Sequence, residues 1–215
     1  LRSNGENRIL ILGIKTINYI VFEDFDMKKI AGIDYSINYP SITVNDNGKF
    51  HFYCFAEKLP KKLSFADGYT LKKFEKCGDN ILNASLVAKN IVKILQSHNV
   101  TCCNLEGYAF QSVSKSLIQI GEATGILKLY LLQAGIKINI VSPVEVKKKA
   151  GGGGFKKFDM FQSFLQQENL KDNLFWQNCV KHENELYTYN QDKSIIKGIK
   201  KPIEDIIDSF YLSII

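Results

Sequence analysis

The sequence reads as an α/β domain in which a mixed β-sheet carries helices on its faces. Three observations predict this. Three strand-like segments come before the first helical one, which calls for antiparallel pairing at the start of the sheet. Strands and helices alternate after that, as parallel crossovers require. Apolar residues make up 45% of 215, enough to bury a sizeable core in one domain.

Residues 29–34 form an apolar run that ends in Asp34 and predict a buried strand. Residues 41–44 and 49–55 predict two more strands. Between them, Asn45-Asp46-Asn47-Gly48 supplies a tight hairpin turn. Residues 57–78 are polar and rich in lysine, and read as irregular. Asp79 then caps a helix over 80–97, with Ile81, Ala84, Ala88, Ile91, Val92 and Leu95 on one face. Residues 101–105 predict a central strand that runs into Glu106, residues 112–133 a long helix, and 137–141 a further strand. Pro143 opens a short helix at the position that tolerates proline best. Glycines 151–154 form a loop and 155–167 a helix. Residues 168–200 lack clear periodicity and read as an insertion. Pro202 opens a last helix with apolar residues at helical spacing, from Ile203 to Ile214. Residues 1–26 read as an extension ahead of a single domain over 27–215, with Met27 a sensible start; residues 8–14 could add a strand.

Lys and Arg together number 28 against 22 Asp and Glu, a net charge of +6 that suits a polyanionic partner. Lys147, Lys148, Lys149, Lys156 and Lys157 crowd one stretch. Lysine point charges favour phosphate contact over bidentate base reading. The five cysteines are odd in number and form no C-x-x-C pair, and the three histidines lack metal-ligand spacing. A reducing compartment is expected, the cytoplasm or a host cell's cytoplasm, and zinc is not. No apolar run is long enough to span a membrane.

Four acids stand out. Asp34 and Glu106 each end a strand, where ligands bind in open α/β sheets. Asp205 and Asp208 are neighbours on the last helix, on what reads as its polar side. Singly, each has an ordinary reading as a turn or solvated residue. Together they repel one another unless a hard cation neutralises them. Tyr108 and Phe110 follow Glu106 and could stack on bases, although packing is the commoner use of an aromatic. Gly121 and Gly125 permit close backbone approach on the long helix, within the core or between subunits.

The order of these features resembles the RuvC-like Holliday junction resolvases of the ribonuclease H-like superfamily, phage or large-DNA-virus members above all. The likeness covers about residues 28–165 and 202–214. It implies a five-stranded mixed sheet with helices on both faces. It implies a crossover junction endodeoxyribonuclease that resolves four-way DNA junctions by symmetric cuts. Asp34, Glu106, Asp205 and Asp208 would be catalytic and hold two Mg²⁺ ions, with Mn²⁺ an acceptable replacement, and Lys157 would be the family's catalytic lysine, with Lys156 a near alternative. Tyr108, Phe110, Lys147, Lys148, Lys149, Lys156 and Lys157 would contact DNA. Two copies would pair through the helix at 112–133, with Gly121, Gly125, Leu127 and Leu131 in contact. The alternatives are another nuclease on the same scaffold, acting on RNA–DNA hybrids or as a terminase nuclease, and a junction-binding protein without catalysis.

Overall fold

The computed structural model describes residues 29–36, 38–57, 68–107, 115–191 and 195–215. Tyr108, Phe110 and the extension at 1–26 lie outside them. In chain order the elements are β1 (Ile30–Asp34), β2 (Ser41–Asp46), β3 (Lys49–Ala56), β4 (Thr70–Lys73), α1 (Asn80–Ser97), β5 (Cys102–Glu106), α2 (Lys115–Gln133), β6 (Lys137–Val141), α3 (Pro143–Ala150), α4 (Lys157–Leu165), a 3-10 turn (Glu168–Leu170), α5 (Leu174–Lys181), α6 (Glu183–Leu186), β7 (Tyr187–Tyr189), β8 (Ile196–Ile199) and α7 (Ile203–Leu212).

The sheet is mixed, in the order β4-β3-β2-β1-β5-β6. The β1–β2–β3 meander is antiparallel, whereas β5, β6 and β4 pair in parallel with their neighbours. The sheet has six strands, one more than the sequence predicts. The additional strand, Thr-Leu-Lys-Lys at β4, lies within the polar stretch read as irregular. It is an edge strand with mostly exposed side chains, so it carries no apolar alternation to announce it.

Alternation along the strands divides the core in two. Ala31, Ile33, Val44, Cys103 and Leu105 point to one face, where they meet α1 and α2. Phe50, Phe52 and Cys54 point to the other, beneath α3, α4, α5 and α7. Residues 168–191 and 195–200, within the stretch read as an insertion, contribute to this second layer. Phe175, Cys179, Leu186 and Ile199 are buried within it, and β7–β8 forms a small separate sheet.

One row across the sheet sets the position of α7. Thr43, Gly32, Asn104 and Asn139 lie side by side on β2, β1, β5 and β6. Thr43 and Ser209 share a 2.7 Å hydroxyl hydrogen bond, and the Asn104 amide donates to the Leu212 carbonyl at 2.8 Å. Gly32 brings the helix down onto the strand: a Cβ there would overlap the Ser209 carbonyl and the Ser213 amide. The helix is therefore embedded, and the polar side expected for Asp205 and Asp208 is buried too. Among the described residues all five cysteines are free, and no helix is long and apolar enough to cross a membrane.

Candidate active site

Asp34 lies two residues beyond Gly32 on β1, and Glu106 two beyond Asn104 on β5. Strand periodicity keeps each on the α7 face. The parallel pairing Ile33↔Leu105 sets the two acids level. Asp205 is one helical turn before Ser209, so α7 hangs Asp205 and Asp208 over those strand ends. Asp34, Glu106 and Asp208 each feel the charge of others in the group, and Asp205 lies against Asp34. Asp34, Asp205 and Asp208 are buried, with 8%, 2% and 3% of their surface exposed.

Burial is the largest effect on every one of these carboxyls. It raises Asp34 well above the usual carboxylate range, and the charges of Asp205, Asp208 and Glu106 push it further. Asp208 rises to about 7, by burial and by Glu106 and Asp205, against the opposing pull of Lys157. Glu106 and Asp205 are raised by burial, partly offset by Lys157 and Lys201.

Two lysines answer this charge. Lys157 forms an ion pair with Asp208. It starts α4, whose first turn is fixed by the Asp159 carboxylate accepting the Lys156 N–H at 2.8 Å. The Tyr211 hydroxyl ties α4 to α7 through the Met160 carbonyl at 3.2 Å. Lys201 donates to Asp205 Oδ1 at 2.7 Å and lies 4.0 Å from Glu204. Burial alone would lower both lysines, but the facing carboxylates outweigh it and hold both protonated. Sequence reasoning missed Lys201 and Glu204. The signal was there in the i,i+3 and i,i+4 spacing from Lys201, but Lys200-Lys201 looked like the end of an insertion.

Asp205 Oδ2 is buried and has no hydrogen-bond partner. The side chain beside it is Asp34, another carboxylate, which can answer it only by sharing a proton. Among the described residues, no three acidic, histidine or cysteine side chains form a ready-made cage for an ion. The acids lean instead on Lys157 and Lys201. The donor set is nevertheless all hard oxygen, and a buried oxygen lacking a partner is what a hard divalent cation would satisfy. The residues thus fit such a metal.

Lys147 is close enough to lower the Glu106 carboxyl, while Lys148, Lys149 and Lys156 are exposed. The glycine loop between them has a packing reason. Side chains at Gly151 or Gly152 would strike the Phe155 ring, and Gly151 has φ +141°.

Residues 75–168 match the family described as Crossover junction endodeoxyribonuclease RuvC. Over those residues the chain is similar to the RuvC family. The RuvC of Thermus thermophilus in complex with a Holliday junction substrate superposes with a TM-score of 0.52 at 13% identity, covering 86% of this chain and 90% of that one. A second Thermus thermophilus RuvC structure gives 0.50 at 15% identity, with 86% and 90% covered. The yeast mitochondrial Holliday junction resolvase gives 0.50 at 12% identity, with 86% and 76% covered. No curated protein matches by sequence. At these identities the likeness is one of fold.

Proposed function

We propose that this RuvC-like chain is a metal-dependent endonuclease that resolves four-way DNA junctions as a homodimer. The observation that carries this is the gathering of four acids from β1, β5 and α7 around a buried, unpartnered carboxylate oxygen. Asp34, Glu106, Asp205 and Asp208 would hold two Mg²⁺ ions, or Mn²⁺ in their place. The chemistry such ions would supply when held by these acids is activation of water and neutralisation of charge on the scissile phosphate.

The chain's own residues do the rest. The packed core beside Asp34 keeps that carboxylate buried, and Glu106 is half-buried at the neighbouring strand end. Lys157, anchored by α4, sets a positive charge at the edge of the acids, where a phosphate oxygen would gain negative charge. Lys147, Lys148, Lys149 and Lys156 offer point charges to the flanking backbone, so binding weakens steeply with salt.

Pairing of two copies through α2 is supported by its outer face. Ile118, Leu129 and Leu132 are 56%, 55% and 65% exposed, and Gly125 lies on the same stripe with open space where a side chain would be. Leu127 and Leu131 are not contacts of that kind, because both are fully buried against this chain's own sheet. A twofold dimer gives two centres the symmetry that junction resolution needs.

The test is incubation with synthetic four-way, flap, hybrid and linear substrates, with and without Mg²⁺. Paired symmetric cuts in the four-way junction, dependent on the metal, are expected. Asp34→Asn keeps the shape and removes the charge; it should lose at least about 10³-fold in rate while still binding junctions. Preferential cutting of hybrid, or wild-type cutting by Asp34→Asn, would overturn the assignment.

A further inference from the structure

We propose that Lys201 is a resident counter-ion for Asp205 that a divalent cation must work against. The idea rests on the metal-binding reading of the acids. Lys201 Nζ sits 2.7 Å from Asp205 Oδ1, while Oδ2 of the same carboxylate is buried without a partner. One side of Asp205 is thus satisfied by a charge the chain supplies, and the other is left for a charge it does not. A buried carboxylate with neither would be costly, since an uncompensated buried charge destabilises a fold strongly.

The placement of Lys201 has no other helix-related explanation. It precedes α7 by two residues, at the end where the helix dipole is positive and a cation is unfavourable. A lysine N-terminal to an acid at i,i+4 is also the weaker orientation for a helix pair. Its attraction to Asp205 and Glu204 outweighs the cost of burying the ammonium beside them. Its side chain is 46% exposed, against 3% for that of Asp205, so the ammonium can swing out on its stem while the carboxylate cannot follow. A divalent cation at Oδ2 would meet this ammonium as a like charge. Lys201 therefore keeps the metal-free chain folded and weakens the hold on the metal, so that ions exchange rather than stay locked in.

The experiment compares Lys201→Met and Lys201→Arg with the wild-type full chain. Thermal midpoints are measured in EDTA and in rising Mg²⁺, and Mg²⁺ binding is followed by calorimetry. Lys201→Met should melt several degrees lower in EDTA. It should bind Mg²⁺ about tenfold more tightly, the effect of removing one positive charge beside a doubly charged ion in a screened setting. Saturating Mg²⁺ should close the gap in melting, and Lys201→Arg should track the wild type. Lys201→Gln serves for the same readouts if the Met variant does not fold. Unchanged melting in EDTA, or weaker Mg²⁺ binding in Lys201→Met, would overturn the proposal while leaving the metal site intact. A wild-type chain that binds no divalent cation would overturn the metal reading itself, and this inference with it.

Discussion

The metal-free protein should lose stability as pH rises, the reverse of ordinary acid denaturation. The perturbation is pH itself, acting on Asp208. Its carboxyl moves from the ordinary 3.8 to about 7 in the fold. Between those values the native chain holds a proton that the unfolded chain has released. The native state thus binds more protons, and stability falls as pH climbs through that window. Each pH step costs about 1.4 kcal/mol, so full ionisation of this one buried group costs about 4 kcal/mol. Only 5% of the side chain is exposed, so solvent does little to screen the effect. For a domain of this size that is a fall in melting temperature of roughly 10 °C. The assay is thermal denaturation in EDTA from pH 5 to 8, beside Asp208→Asn, which keeps the shape and cannot titrate. The difference in slope between the two isolates Asp208 from other carboxylates. Mg²⁺ at about 100 times its dissociation constant should return about 2.7 kcal/mol to the wild type at pH 8. A wild-type slope equal to that of Asp208→Asn, or a wild-type midpoint that rises through this window, would refute the reasoning.

Gly32→Ala should cost at least about 3 kcal/mol, at the upper end for overpacking, because the new methyl meets helix backbone and not a movable side chain; chemical denaturation checks it, and near-wild-type stability would show that α7 can lift from the sheet. Gly125→Glu should leave the monomer's fold intact, since among the described residues nothing beyond its own helix turn lies within 4 Å of the added Cβ. Solution size should fall from dimer to monomer, with paired junction cuts becoming single nicks. A dimer that persists would place the subunit contact elsewhere.

The helix boundaries at 80–97 and the strand at 137–141 agree with Asn80–Ser97 and Lys137–Val141 residue for residue. Local rules suffice there: Asp79 accepts from the Ile81 and Leu82 amides, and the apolar period is long enough to be unambiguous. The meander was legible for the same reason, through an Asn-Gly turn and alternating strands. The four acids were legible as strand ends and as an i,i+3 pair, because chain position alone tells which way such residues can project. Residues 168–200 were not. Their apolar groups, such as Phe175 and Ile199, are widely spaced and serve a core assembled mostly from other elements. Strand β4 was hidden because an edge strand needs only backbone partners.

The sequence by itself determined the order of the main elements apart from β4 and those of residues 168–200, the α/β class and the identities of the acids, since each follows from local periodicity, capping and residue chemistry. Only the tertiary structure decided that α7 lies sunk on Gly32 with its acids buried. It also decided that Leu127 and Leu131 face inward, that Lys201 neutralises Asp205, and that one oxygen of that carboxylate is left without a partner. Burial and charge pairing are properties of what comes together from distant parts of the chain, and no window of sequence contains them.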